Sequence, residues 1–162
     1  MICFDTMVLI WGVQGAARAG QEPMIERTRR YIHSLAEERT RIMVPTPALV
    51  EYLQGFPEGD RKHQLELLER HFLIPAFDLP ASYLAAGLAY RASESALKGE
   101  VSRQAIKLDL QIIATAIVHG ARAIVTDDVN HFERLAAGKI KISSVPDVHE
   151  QAALDLDISS ES

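Results

Sequence analysis

Four carboxylates far apart in this 162-residue chain, Asp5, Glu51, Asp109 and Asp128, fall where an α/β sheet would bring them together. Asp5 directly follows the apolar triplet Ile2, Cys3, Phe4, and Asp128 stands two residues beyond the run Ala123 to Thr126. Parallel neighbouring strands would release both acids at the carboxyl edge of the sheet. Asp109 lies near the start of a helix leading into the later run. Glu51 lies about one turn into a helix that follows Ile42, Met43 and Val44. A helix that crosses over between parallel strands begins at that same edge, so all four acids are expected in one place.

Such a cluster is costly by itself, because two carboxylates about 5 Å apart repel by roughly 3 kcal/mol at an effective dielectric near 20. Protonation or an arginine could offset this. Hard oxygen ligands with room for water suit Mg²⁺ or Mn²⁺, which activates water and neutralises charge developing on a phosphodiester. Metal-assisted phosphodiester hydrolysis is therefore the leading chemistry. Each acid also has a plain structural reading: Asp5 as a helix cap, Asp109 as a first-turn acid, Glu51 on a solvated helix face, and Asp127 with Asp128 as a turn. Their shared location favours the joint reading.

The elements that must hold these acids follow from apolar spacing. Ile2 to Phe4, Ile42 to Val44, Phe72 to Phe77, Ala123 to Thr126 and Ile140 to Ser143 read as five short strands, with Pro75 marking the third as an edge strand. Between them, Ile25, Thr28, Ile32 and Leu35 recur at helical spacing. Thr46 and Pro47 suit the N-cap and first turn of the helix bearing Glu51. Further helices are expected from about Arg61, from Pro80 to a break at Lys98 and Gly99, and from Ile106 to His119, which Gly120 closes. A turn and a short helix cover Asp127 to Gly138. This alternation predicts an α/β fold with a mainly parallel sheet flanked by helices. Residues 1–148 form one domain, and 149–162, rich in Glu, Asp and Ser, a polar, mobile tail.

Hydrophobic content of 48% with 24% charge is ordinary for a globule with a real core. The single cysteine, Cys3, rules out a disulfide framework and a multi-cysteine zinc site. With no long apolar stretch and no basic leader at Met1, a cytoplasmic protein without a membrane span is expected. A formal charge of −5 argues against a uniformly basic nucleic-acid binder but leaves local patches open. Arg103 and Lys107, four apart and just ahead of Asp109, are the preferred RNA contacts over Arg27, Arg29 and Arg30. The six histidines form no HExxH motif. His131, three residues past Asp128, is the one that could assist with phosphate or water, although a structural role explains it as well.

The four acids and their surroundings resemble the PIN-domain nucleases, and among them the VapC-type toxin ribonucleases of bacterial toxin–antitoxin pairs. The resemblance rests on Ile2-Cys3-Phe4-Asp5-Thr6, Thr46-Pro47-Ala48-Leu49-Val50-Glu51-Tyr52, Asp109-Leu110-Gln111-Ile112-Ile113-Ala114-Thr115-Ala116 and Ile124-Val125-Thr126-Asp127-Asp128-Val129-Asn130-His131-Phe132, in that order. It implies a PIN-like fold and carboxylate-bound Mg²⁺ or Mn²⁺ cutting RNA. Asp5, Glu51 and Asp109 match the core acids, and Asp128 is preferred to Asp127 for the fourth. Thr6 and Thr126 match hydroxyl positions that orient acids or water, with local turn bonds as the other reading. The toxin likeness further implies a homodimer and a cognate antitoxin. A haloacid-dehalogenase-like phosphatase also places an Asp after its first strand, but it needs a second Asp where this chain has Met7. A noncatalytic RNA- or partner-binding module on the same scaffold is the remaining alternative.

Overall fold

The computed structural model describes residues 1–94 and 103–148. Four parallel strands, β1 (Ile2–Phe4), β2 (Ile42–Met43), β3 (Ala123–Val125) and β4 (Lys141–Ser143), form a sheet in the order β2-β1-β3-β4. Apolar side chains that β-branching and burial favour make up the inner pair: every residue of β1 and β3 is buried. Cys3 pairs with Met43 on one side and Ile124 on the other and has no exposed surface. Burial, with Asp5 nearby, pushes its thiol well above the usual range.

The expected third strand is a correction. Residues 72–77 run beside β2 but contribute only an isolated parallel bridge, Met43 with Leu73. Leu73 N–H donates to Ile42 O (2.9 Å) and Val44 N–H to Leu73 O (2.7 Å); beyond that, Pro75 can only accept, from Thr46 N–H (3.0 Å). Without its own N–H, Pro75 cannot continue the ladder. Among the described residues the sheet therefore has four strands and a partial cover along β2, where the sequence suggested five.

Helices fill the connections: α1 (Thr6–Leu9) runs on into a π-helical turn (Ile10–Gln14), followed by α2 (Pro23–Glu37), α3 (Thr46–Gln54), α4 (Glu58–His71), α5 (Leu79–Glu94), α6 (Arg103–Val118) and α7 (Val129–Ala136). Gly120 (φ +79°) adopts the left-handed conformation just past α6, as its position suggested. Thr46 does not cap α3 as expected. Pro45 occupies that position, and the Thr46 hydroxyl accepts from Phe77 N–H (3.0 Å), tying the segment beside β2 to the helix that carries Glu51. The small residues Ala81, Ala85 and Ala114 let α5 and α6 pack closely. Among the described residues no helix is long and apolar enough to cross a membrane. The Lys98–Gly99 break and the 149–162 tail lie outside the described residues.

Candidate active site

The chain turns from one side of β1 to the other between β1 and β3, and ligands of open parallel sheets gather beyond the carboxyl ends of strands at such a reversal. Asp5 follows β1 there, with its N–H bonded to Val125 O (3.1 Å) as a continuation of the ladder. Its side chain caps α1 by accepting from Thr6 N–H (2.7 Å), and its other oxygen accepts from the Thr126 hydroxyl (2.8 Å). The cap reading is thus correct in geometry, and one carboxylate oxygen still faces a residue from the neighbouring strand end.

The remaining acids arrive from three other elements. The Thr6 hydroxyl donates to Glu51 Oε2 (2.5 Å), which ties the body of α3 to the start of α1. On α6, Asp109 Oδ2 sits 3.0 Å from His131 Nε2 of α7. Asp128 caps α7 by accepting from His131 N–H (3.2 Å), and its own N–H donates to the Thr126 hydroxyl (3.2 Å). Thr126 therefore links Asp5 to Asp128, and His131 links Asp128 to Asp109. Asp127 also borders this site, where its Oδ2 accepts from Gln21 Nε2 (3.1 Å) at the surface.

These side chains line one cleft of about 410 Å³ that also includes Met7, Arg18 and Phe132. Asp5 is its buried floor, at 8% exposure, while Glu51 and Asp128 are exposed at its mouth. The electrostatic cost foreseen from sequence is visible. Burial, with Asp109 and Glu51 adding repulsion, raises the Asp5 carboxyl from 3.8 to about 7 against the lowering effect of Thr126 and Thr6. Asp109 is likewise raised to about 7, by burial first and then by Glu51 and Asp128. His131 is buried and its Nδ1 has no partner among the described residues, so the ring is held by the Asp109 contact and by packing beside Phe132.

Among the described residues no group of three or more His, Cys, Asp or Glu side chains is arranged to hold a metal ion. Each acid is turned toward a protein donor. The donor set still fits Mg²⁺ or Mn²⁺ by chemistry, since hard carboxylate oxygens dominate and Mg²⁺ is commonly held by one or two carboxylates with water and phosphate completing its shell. Of the expected RNA contacts, Lys107 is exposed but does not line the cleft, and the Arg103 side chain lies outside the described residues. Sequence reasoning missed Arg18, which sits in a glycine-rich loop with no periodic signal.

Thr126→Val tests the linkage. Losing a hydroxyl that favours the ionised Asp5 should push that carboxyl above about 7 and cost on the order of 1 kcal/mol of stability. Carboxyl titration followed by NMR would check the first effect, and an unmoved Asp5 would show that Thr126 does not tune it.

Residues 2–138 match the family model described as PIN domain. No curated protein matches the chain. Among solved structures, a chain of VapBC2 from Rickettsia felis, bound to a DNA fragment from its promoter, superposes with a TM-score of 0.66 at 16% identity, covering 89% of this chain and 98% of that one. A chain of DNA-bound VapBC from Salmonella typhimurium gives 0.63 at 15%, covering 90% and 98%. VapBC-1 from nontypeable Haemophilus influenzae gives 0.63 at 14%, covering 89% and 98%. At these identities the likeness concerns the fold.

Proposed function

Because this chain belongs to the PIN domain family, we propose that it is a metal-dependent endoribonuclease cutting RNA phosphodiester bonds at the acid cleft, and the toxin of a bacterial toxin–antitoxin pair. The observation that carries this reading is the convergence of Asp5, Glu51, Asp109 and Asp128 from four elements on one open cleft, with two carboxyls raised to about 7. Carboxylates buried and crowded enough to hold protons near neutrality are a site for a cation. Asp5, Glu51, Asp109 and Asp128 would hold Mg²⁺ or Mn²⁺, which when bound supplies water activation and neutralises charge on the phosphodiester.

The chain's own groups then have distinct tasks. Thr126 and the Thr6 amide aim Asp5, the Thr6 hydroxyl aims Glu51, and His131 aims Asp109. The catalytic unit is residues 1–148, acting on RNA in the cytoplasm, with 149–162 as a polar tail.

A cognate antitoxin is the proposed partner, because the fold neighbours are VapBC complexes. A groove of about 650 Å³ away from the acids supports a protein partner: Ile32, Phe72 and Leu73 offer apolar surface and Arg39, Arg41 and Arg70 offer charge. A homodimer is supported by α5, where Leu79, Tyr83 and Tyr90, four and seven residues apart, are 84%, 86% and 67% exposed.

Purified protein incubated with a mixed RNA pool should cut in Mn²⁺, stop in EDTA, and lose the activity as Asp5→Asn, which also controls for contaminating ribonuclease. Metal-dependent cutting by both proteins would defeat the site assignment. RNA binding without cutting would favour the noncatalytic module. For the toxin role, induced expression should arrest growth unless Asp5 is replaced, with co-expression of an adjacent small antitoxin-like reading frame relieving the arrest.

A further inference from the structure

Resting on the reading of the cleft as the RNA-cutting site, we propose that Arg18 receives an RNA backbone phosphate at the mouth of the cleft. The five carboxylates that line this cleft, Asp5, Glu51, Asp109, Asp127 and Asp128, would repel a polyanion until something cationic meets it. Among the described residues lining the cleft, Arg18 is the only Lys or Arg.

Arg18 combines this position with an available guanidinium. Arg30 is paired with Glu26, and the guanidinium groups of Arg29 and Arg61 donate to the carbonyls of Gly12 and Phe56. The Arg18 side chain is exposed and, among the described residues, makes neither an ion pair nor a side-chain hydrogen bond, although five acids share its cleft. A guanidinium held near those acids without being spent on any of them keeps its forked donors for a ligand, and a tetrahedral phosphate accepts two of them side by side.

The loop that carries Arg18 is fixed at both ends. Gly15 (φ +71°) ends the π-helical turn, and a side chain there would meet the Arg29 guanidinium. Arg18 O accepts from Gln21 N–H (2.9 Å), and Gln21 Nε2 then reaches Asp127 on the β3–α7 connection. Residues 15–21 thus lead from the helix begun by Asp5 to the turn that contains Asp128, and Arg18 lies between. The geometry gives Asp127 a role as well: it anchors the loop.

The test uses the full chain with Mn²⁺ and a single-stranded RNA of mixed sequence, comparing wild type, Arg18→Ala and Arg18→Lys at several salt concentrations. Arg18→Ala should raise KM about tenfold with kcat little changed, and should flatten the salt dependence of log(kcat/KM) by about 0.7, the loss of one phosphate contact on a single strand. Arg18→Lys should keep most of the salt slope while recovering only part of the KM. An unchanged KM and slope in Arg18→Ala would overturn the proposal. So would tighter Mn²⁺ binding with RNA kinetics unaltered, because Arg18 would then be only a counter-charge to the acids. Wild-type protein that neither binds nor cuts RNA would instead remove the nuclease reading itself, and the two failures are told apart by that arm.

Discussion

Asp109→Asn is expected to lower metal-dependent RNA cleavage by about two to four orders of magnitude while leaving the fold intact. Asp109 is the acid at the centre of the network, since it feels both Glu51 and Asp128 and is held by His131 at 3.0 Å. Asn has the same shape, and its carbonyl oxygen can still accept from His131 Nε2, so the local packing survives. What disappears is the negative charge. Single-turnover cleavage at saturating RNA and Mn²⁺, with circular dichroism to confirm folding, would measure the effect. Asp127→Asn provides the contrast: it lies on the surface with Gln21 as its partner and should cost far less. Equal losses in both variants would sink the preference for Asp128 over Asp127.

The second large effect concerns pH. Asp5 titrates at about 7 in the folded protein against 3.8 ordinarily, so between those values the native state binds more protons than the unfolded chain. Stability of the metal-free protein must therefore fall as pH rises from about 4 and level off above about 7. The rise from 3.8 to about 7 corresponds to on the order of 4 kcal/mol for Asp5. Asp109 acts in the same direction, but the pair is coupled, so the two contributions do not simply add. Urea titrations at pH 5 and pH 8 should show this fall. Asp5→Asn should flatten it and be the more stable protein at pH 8. Mn²⁺ at pH 8 should restore stability to wild type and do little for Asp5→Asn. A wild-type curve that rises from pH 5 to 8 would contradict the burial and repulsion assigned to these acids.

Much of this arrangement was legible because it depends on local pattern. Ile2–Phe4 and Ala123–Val125 are continuous apolar runs, and an acid at the end of a buried strand has few places to go but the sheet edge. The segment from Phe72 to Phe77 looked equally strand-like, yet Pro75 leaves it with one bonding side and a single bridge. Thr46 looked like a cap because its type and position fit, but a distant partner, Phe77, claimed its hydroxyl. Asp128 caps α7 through His131 N–H, a local pattern, whereas Asp127 bonds to Gln21, a contact distant in sequence that no local pattern encodes. Lys107 was favoured by its spacing from Arg103 and from Asp109, and the structure leaves it off the cleft. Arg18 carried no signal because loops between glycines are positioned by tertiary bonds.

The sole cysteine has a consequence of its own. Cys3 sits in β1 between two hydrogen-bonded neighbours, wholly covered and with its thiol biased toward the protonated, unreactive form. Its side chain projects from a sheet face into the packed core, so fraying of an edge strand does not bare it. Its modification by a thiol reagent is thus gated by opening of that core, and this one sulfur serves as a clock for unfolding beneath the acid cleft.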